Sequence, residues 1–540
     1  MIVKRIYNLQ SSEDKKRSMW LSFMALLRSL LNFAGLASLF PLLKMVLEEH
    51  PSTNKMMVVF GAIFLFILVK NLLVMLLTKV QTRYLMNQYR YYSSSLFEQY
   101  YKKGLLFIKE SGPVALTNDV TAVSMVFCVN VLQGLYTIVA ESFLVLFIFA
   151  ALVWYSPLLS FLMIAVMIPL VAVYAFLFKG KMQLCGKEEM DARRQQSRIV
   201  VETFRGFSEL EVYDAYEKQM SAFSSGLKTI AKYREKIVMM FSIPSLLTEL
   251  ALVFGLTLLL LIQGANSALL GGAFALAAFR LMPAFRNIVS AWSTIQQSTF
   301  SVDLLEKNLT NKQEDETESE KIPFRHELKM ENVSFSFSDG TSVFQNYSMS
   351  IQKGERIGFC GVSGSGKSTL FNLLLGFYQP QKGRVLIDDT ELNHSTHSDW
   401  LRQVGYVPQD VYILQGTLAE NVAMGQSDVS EDKIKEVLCL SCLLDWAESL
   451  PNGIHTQMGE AGSRMSGGQR QRIGIARAIY KSPEVLFLDE ATSSVDTQTE
   501  QEINQTLQSL SDNCKELTIV VIAHRESSLA FCSRIISINS

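Results

Sequence analysis

The sequence contains few charged residues. Only 19% of the 540 residues are charged and the formal net charge is -1, whereas about a quarter of the residues in an ordinary soluble domain are charged. Without an excess of lysine and arginine the chain cannot neutralise a phosphate backbone, so no nucleic-acid partner is expected. The seven cysteines are scattered without a framework of pairs. This spacing excludes a disulfide-stapled secreted domain and fits a reducing compartment.

Hydrophobic residues are abundant and make up 49% of the sequence. Before residue 300 there are several apolar stretches, each near or above the ~20 residues that a helix needs to cross the hydrocarbon core. Strands are far shorter, and a single soluble core has no use for so many such runs. Six transmembrane helices are therefore predicted, over 20–47, 56–78, 120–155, 157–179, 237–262 and 268–290.

The loops between these stretches differ sharply in charge. Those around 79–117 and 180–236 are long and rich in lysine and arginine, whereas 48–55, 155–157 and 263–267 are short and almost without them. The positive-inside rule places the basic loops and both termini in the cytosol. The long segments are expected to extend the membrane helices into the cytosol and to turn back near 109–119 and 213–223. The polar, basic first 18 residues are expected to form a short cytosolic helix along the membrane surface.

The character of the chain changes after residue 300. The segment 311–321 carries five acids in eleven residues, which is typical of a solvated linker. From residue 322 onward, apolar runs of strand length alternate with helical patterns, as in an α/β sheet domain. The predicted organisation is a transmembrane domain over 1–310, a linker over 311–321 and an α/β domain over 322–540.

A complete phosphate-binding loop opens the second half. The segment 361–368 reads GVSGSGKS, follows a strand-like run and leads into a helix. Glycines let the backbone N–H groups wrap around phosphate oxygens, and a helix N-terminus adds favourable partial charge. Lys367 is predicted to bind the β and γ phosphates and Ser368 to coordinate Mg²⁺. The ATP-binding residues predicted here are Gly361, Ser363, Gly364, Ser365, Gly366, Lys367, Ser368 and Thr369.

Two carboxylates end an apolar strand farther along. Asp489 and Glu490 follow the run Val485-Leu486-Phe487-Leu488. Asp489 suits the coordination shell of Mg²⁺. Glu490 lies one residue later, points differently and suits polarising the attacking water.

A third motif narrows the class of ATPase. The segment 465–469, MSGGQ, resembles the LSGGQ signature of ABC ATPases, with methionine in place of leucine, a swap that conserves volume. In that family the signature of one subunit binds the γ-phosphate held by the phosphate loop of the other. The resemblance therefore implies a dimer, and it adds to the ATP site Ser466, Gly467, Gly468 and Gln469.

Further segments resemble the remaining elements of the family in the expected order. Gln409 matches the Q-loop, which bridges Mg²⁺ and the membrane domain, and 456–462 resembles the exporter X-loop. Asp496 lies in a match to the D-loop, His524 matches the switch histidine, and Phe337 stands where an aromatic ring stacks on adenine. The resemblance implies catalytic roles for Glu490, His524, Gln409 and Lys367, and Mg²⁺ ligands at Ser368, Gln409 and Asp489.

The order of the two halves resembles the half-transporters among ABC exporters, of the type IV fold: six membrane helices followed by the ATPase domain. Because the catalytic glutamate and the signature are both intact, a homodimer is favoured over a heterodimer, which stays open as the alternative. The expected location is a bacterial inner membrane. The six membrane stretches exclude a soluble ABC ATPase. An ATP-gated channel or regulator stays open as an alternative.

Arginines of the sixth apolar stretch suggest a substrate. The segment 279–283, FRLMP, followed by Arg286, resembles the bacterial flippases of polyprenyl-pyrophosphate-linked oligosaccharides. Arg280 and Arg286 would suit a pyrophosphate. The loop 48–55 departs from those flippases, because it has no room for their external helix. A multidrug, peptide or other lipid exporter on the same machinery remains the alternative.

Overall fold

The chain folds as two compact units, Met1–Lys312 and Gln313–Ser540. The predicted linker, 311–321, lies outside the described residues except at its last two positions. The structure is a computed structural model that describes residues 2–9, 12–41, 45, 53–155, 157–263, 268–309, 320–426, 429–459, 465–491, 497–523 and 526–538.

The first unit is helical. Between Asn118 and Gln133 the chain stays helical but includes two wider π-helical segments, Asp119–Val123 and Phe127–Leu132. The α-helices are α1 (Ile2–Leu9), α2 (Ser12–Ala37), α3 (Thr53–Lys102), α4 (Gly104–Ser111), α5 (Pro113–Asn118), α6 (Gln133–Tyr155), α7 (Pro157–Arg205), α8 (Phe207–Val212), α9 (Tyr216–Gln263), α10 (Ala268–Gln297) and α11 (Thr299–Leu309), with a short turn at Ser124–Val126.

Among the described residues, three stretches of these helices are long and apolar enough to cross a membrane, namely Ser18–Pro41, Asn54–Lys102 and Pro113–Trp154. They coincide with the first three predicted spans, and the other three predicted spans fall within α7, α9 and α10. Helix α3 has 50 residues, which corresponds to about 75 Å and is more than twice the ~30 Å of a hydrocarbon core. It therefore continues well beyond a membrane, as the basic loops predict.

The two helix reversals lie at glycines. The first is at Gly112, with φ 78°, inside the predicted interval. The second runs from Gly206 through the short helix α8 to Asp214, with φ 48°. The predicted interval, 213–223, contains the end of this reversal, at Asp214, but not its beginning at Gly206. Helix α9 begins already at Tyr216, because the sequence that follows is rich in good helix formers.

Packing in the first unit joins helices that are distant in sequence. Helix α9 packs along α7, and both α2 and α10 pack on α6. Beyond the membrane stretch, Asp119 forms an ion pair with Arg194 of α7 and accepts a hydrogen bond from Tyr100 at 3.1 Å. The predicted N-terminal helix is α1, and its Ile6 is 2% exposed in the core. Arg5 pairs with Asp303 of α11 at 2.6 Å.

The second unit contains two sheets and seven α-helices among its described residues. One sheet is antiparallel, with strand order β2-β1-β4-β5, and the other is parallel, with order β6-β7-β8-β3-β9. The strands are β1 (Glu327–Ser336), β2 (Ser342–Gln352), β3 (Arg356–Cys360), β4 (Lys382–Ile387), β5 (Thr390–Glu391), β6 (Val404–Val407), β7 (Val485–Asp489), β8 (Thr518–Ile522) and β9 (Arg534–Ser537). The helices are α12 (Lys367–Leu374), α13 (His397–Gln403), α14 (Leu418–Val422), α15 (Glu431–Leu440), α16 (Leu444–Ser449), α17 (Gly467–Tyr480) and α18 (Thr497–Asn513).

The parallel sheet decides where the polar motifs meet. Strands β7 and β8 are buried along their whole length, as expected of a sheet covered on both faces. In a parallel sheet all the carboxyl ends lie at one edge, which is where ligands bind in such folds. The segments that follow β3, β6 and β7 therefore gather at the same edge.

Candidate functional site at the edge of the parallel sheet

The phosphate loop forms a compact cradle between β3 and α12. Gly364 and Gly366 have φ of 86° and 91°, a region that glycine enters without strain. At Gly366 a side chain would also lie 2.6 Å from Val343. The Lys367 ammonium donates to the carbonyl oxygens of Gly361 at 2.8 Å and Val362 at 2.9 Å. The lysine thus closes over its own loop, at the place where phosphate oxygens would lie.

The cradle also contains a polar atom with no bonding partner among the described residues. Ser365 is 4% exposed, and its hydroxyl oxygen is buried without a hydrogen bond. Leaving such a group unsatisfied costs about 1–3 kcal/mol. Together with the glycine backbone and Lys367, this orphaned hydroxyl fits a loop built around an anion that bears several oxygens.

The carboxylates after β7 lie beside Gln409. Asp489 is the last residue of the strand and is 5% exposed. Glu490 has φ 51°, an uncommon conformation for a residue with a side chain and one that clusters at functional sites. Its carboxylate accepts a hydrogen bond of 2.8 Å from the Gln409 amide. Two residues 81 positions apart are thereby brought together at the sheet edge.

Tyr406 of β6 lies in the electrostatic field of Asp489. Burial, followed by the negative charge of Asp489 and the neighbouring Tyr378, raises the pKa of the Tyr406 phenol. The hydroxyl therefore stays protonated at neutral pH and can only act as a neutral group beside the carboxylates.

A cluster of aromatic rings fixes Phe337. Phe335 and Tyr378 stack in parallel with centroids 5.3 Å apart, and Phe337 stands edge-on to Phe335, also at 5.3 Å. The Gln381 side chain holds the preceding residue, Ser336, by accepting from its N–H at 2.7 Å and donating to its carbonyl at 2.5 Å. Phe337 is itself partly exposed, so its ring is available for stacking. The sequence reasoning missed Tyr378 and Gln381, because only sheet pairing brings them to this place.

The signature segment starts helix α17 with a capping box. The Ser466 hydroxyl accepts from the Gln469 N–H at 3.2 Å, and the Gln469 side chain accepts from the Ser466 N–H at 2.9 Å. Such reciprocal capping satisfies two of the unpaired groups at a helix start. Gly467 and Gly468 are the first two residues of this helix, and helix N-termini favour anions.

The oxygen donors at this edge suit Mg²⁺. Ser368 is exposed at the start of α12, and Gln409 and Asp489 lie at the ends of neighbouring strands. The described residues contain no group of three or more His, Cys, Asp or Glu side chains that could hold a metal alone. A set of one or two carboxylates completed by phosphate oxygens is how proteins commonly bind Mg²⁺, so the donors fit this ion together with a nucleotide.

Other predicted residues are placed elsewhere or are not described. Asp496, His524 and residues 460–462 of the predicted X-loop lie outside the described residues. Arg280 and Arg286 are on α10 of the first unit, Arg280 partly buried and Arg286 exposed. Lys70, a further partly buried cation of the first unit, is on α3.

Comparisons with known proteins agree with this geometry. The family model described as ABC transporter matches residues 344–493. The chain is 28% identical over 457 residues to the ATP-dependent lipid A-core flippase of Ralstonia nicotianae, covering 82% of this chain and 76% of that one. It is 40% identical over 213 residues to an uncharacterized ABC transporter ATP-binding protein of Bacillus subtilis, covering 39% and 36%.

Among solved structures, a bacterial Atm1-family ABC exporter with ATP bound superposes with a TM-score of 0.82 at 20% identity, covering 98% of this chain and 94% of that one. The predicted fold class, a membrane helical domain with an α/β ABC ATPase domain, is thus confirmed. The chain thus has the fold of an ABC exporter, with an ABC transporter ATPase domain that includes residues 344–493, and it is a multi-pass membrane protein that couples ATP hydrolysis to transport.

Proposed function

We propose that the edge of the parallel sheet is the ATP site and that its residues have the roles predicted from the motifs. Phe337 stacks on adenine, the loop from Gly361 to Thr369 cradles the phosphates, and Lys367 transfers its hydrogen bonds from loop carbonyls to phosphate oxygens. Ser368, Gln409 and Asp489 hold Mg²⁺, which when bound offsets the charge of the β and γ phosphates. The hydrogen bond between Gln409 and Glu490 is the observation that supports this arrangement most strongly.

Hydrolysis needs a base beside the γ-phosphate. Glu490 is held next to Gln409 at the strand end, where it can orient a water molecule and accept its proton. His524 is proposed to contact the γ-phosphate. Ser466, Gly467, Gly468 and Gln469 would face the nucleotide of a second subunit, and Asp496 would lie along that seam. We therefore propose a homodimer with two composite ATP sites, both termini being in the cytosol of a bacterial inner membrane.

For the cargo we propose an anionic lipid that bears phosphate. Lys70 of α3 and Arg280 of α10 are partly buried cations on two different membrane helices. Cations within a membrane are expensive and mark substrate pathways, and a phosphate group would pair with them. Arg286, six residues or about 1.7 turns farther along α10, is proposed as a second contact for such a substrate. This pair of cations is the observation that supports the lipid proposal.

Two phosphate-bearing lipids are candidates. The FRLMP segment at 279–283 favours a polyprenyl-pyrophosphate-linked oligosaccharide, and the name of the Ralstonia relative favours a glycolipid of the lipid A-core type. The chemistry of a cationic pair is common to both. A drug or peptide exporter is the rival, and it requires no such pair.

The proposal is tested by flipping assays with the full chain in liposomes. Fluorescent forms of both lipids are supplied in the leaflet that faces the ATPase domain, with ATP and Mg²⁺, and the Glu490→Gln variant is the control for ATP dependence. Movement of one lipid, lost in Glu490→Gln, identifies the cargo. ATP hydrolysis without movement of either lipid would contradict the lipid proposal and leave the ATP site intact.

The cationic pair is tested in the same assay. Lys70→Gln and Arg280→Gln each remove one charged partner of a phosphate, which should cost about 1.5–3 kcal/mol, or roughly ten- to a hundredfold in the apparent affinity for the lipid. Lys79→Gln is the matched control, because Lys79 is an exposed lysine on the same helix. An equal effect of all three variants would point to surface charge and not to a site.

A further inference from the structure

The loop that follows Gln409 is attached to the signature helix at adjacent points. A side chain at Gly474 of α17 would lie 2.8 Å from a methyl group of Val411, so the loop packs directly on the helix backbone. One turn farther along α17, both terminal nitrogens of Arg477 donate to the carbonyl oxygen of Tyr412, each at 3.1 Å. Two consecutive loop residues are therefore fixed by consecutive turns of a single helix.

Arg477 closes the same loop from its other end. Its Nε donates to the carbonyl oxygen of Asn421 at 2.8 Å. Asn421 is fully buried, and its side chain forms a two-way amide pair with the backbone of Leu414, donating at 2.9 Å and accepting at 2.8 Å. The guanidinium, Tyr412, Leu414 and Asn421 thus form one closed hydrogen-bonded unit.

The bonding of Arg477 depends on its shape more than on its charge. Its acceptors are carbonyl and amide oxygens, and no carboxylate of the described residues bonds to it. Burial lowers the pKa of the guanidinium, yet arginine remains charged at any physiological pH. Lysine lacks the planar guanidinium fork, whose separate nitrogens here bond to the carbonyl oxygens of Tyr412 and Asn421.

Gln409 lies in an exposed part of the loop between two buried residues. Gln409 and Asp410 are exposed, whereas Val407 before them is fully buried and Val411 after them is 5% exposed. The position of the Gln409 amide, 2.8 Å from Glu490, is consequently set by the two anchors on either side. The first anchor is strand β6, and the second is the loop that Gly474 and Arg477 hold.

We propose that Arg477 is a positioning residue for Gln409: by fixing Tyr412 and Asn421 to the signature helix, it keeps the Gln409 amide within reach of Glu490. The inference rests on the proposed role of Gln409 in hydrolysis. Because α17 begins with the signature, any displacement of that helix is passed to Gln409 through the same contacts.

The test compares Arg477→Lys with Arg472→Lys in the full chain reconstituted in lipid. Arg472 lies on the same helix and also donates to a backbone carbonyl, that of Cys442 at 2.7 Å, whereas the hydrogen bonds from α17 to the described loop after Gln409 come from Arg477. Small displacements of catalytic groups cost up to about a hundredfold. We expect Arg477→Lys to lower kcat for ATP roughly ten- to a hundredfold with KM for ATP nearly unchanged, and Arg472→Lys to leave both nearly unchanged.

A double-mutant cycle with Gln409→Ala decides whether the effect passes through Gln409. If it does, Arg477→Lys causes no further loss of kcat in the Gln409→Ala background. An equal further loss would overturn the inference, as would a loss of kcat matched by a fall in melting temperature or shared by Arg472→Lys. If Gln409→Ala leaves hydrolysis unchanged, the assignment of Gln409 itself fails, and that outcome is distinguishable from the others.

A second variant guards against misfolding of Arg477→Lys. Gly474→Ala pushes on Val411 from the helix without altering a charge or a hydrogen bond. It should lower kcat and show the same dependence on Gln409. A normal kcat in Gly474→Ala would contradict the proposal that the loop is positioned by contact with α17.

Discussion

Helices α7 and α10 of the first unit meet backbone to backbone at Gly186. A Cβ atom at this position would lie 1.9 Å from the carbonyl oxygen of Gln297 and 2.7 Å from its carbonyl carbon. Carbon–oxygen contacts need about 3.3 Å, so Gly186→Ala can be accommodated only if the two helices separate by about 1.4 Å. No change of rotamer relieves the clash, because the obstacle is main chain.

The magnitude follows from two opposing contributions. Overpacking typically costs 1–3 kcal/mol, and a contact with main chain should lie at the upper end of that range. Replacing a helical glycine by alanine returns about 0.5–1 kcal/mol. Separation of the helices also stretches the amide hydrogen bond from Gln183 to Gln296, now 2.9 Å long. A net destabilisation of about 2 kcal/mol is therefore expected.

Gly180→Ala is the matched control on the same helix. A Cβ atom at Gly180 meets nothing within 4 Å, so only the gain in helix propensity remains and the variant should be slightly stabilised. Thermal unfolding of the full chain in lipid nanodiscs, followed by tryptophan fluorescence, measures both. Equal melting temperatures for Gly186→Ala and Gly180→Ala would refute the close approach of α7 and α10.

Three further predictions concern the second unit and the cysteines. Phe337→Ala should weaken ATP binding by about 1–3 kcal/mol, the usual worth of a stacked base, whereas Phe337→Tyr should bind normally; equal binding of a fluorescent ATP analogue by both would contradict the stacking role. Burial disfavours the charge of Asp388, but three backbone N–H donors outweigh it and lower the carboxyl pKa below the ordinary 3.8. The stabilisation by the ionised Asp388 carboxylate is thus present above that pH and is lost as the pH falls through the lower folded pKa. Asp388→Asn should therefore lower the melting temperature at pH 7, by an amount that becomes smaller as the pH is lowered. The same decrease in melting temperature at every pH would contradict a stabilising role for the ionised carboxylate. All seven cysteines are unpaired, so a reductant should leave the melting temperature unchanged, and a shift would reveal a disulfide.

Much of the candidate site could be predicted from sequence because its motifs are local. A phosphate loop needs glycines, a lysine and a helix start within eight residues, and Gly361 to Ser368 supply all of them. Asp489 and Glu490 were recognisable because a run of buried apolar residues precedes them. The capping box of Ser466 and Gln469 is likewise a pattern of neighbouring positions. The roles given to these residues, and to Asp496 and His524, remain predictions.

The six apolar stretches, the basic loops and the ATPase motifs were decided by sequence alone, because hydropathy, charge and short-range backbone requirements are properties of neighbouring residues. Tertiary structure alone decided which distant groups meet. Gln409 reaches Glu490 because β6 and β7 pair in parallel, and Arg477 reaches Tyr412 because α17 packs beneath the loop. No pattern within either segment specifies such contacts, since they depend on strand order and helix packing across the whole fold.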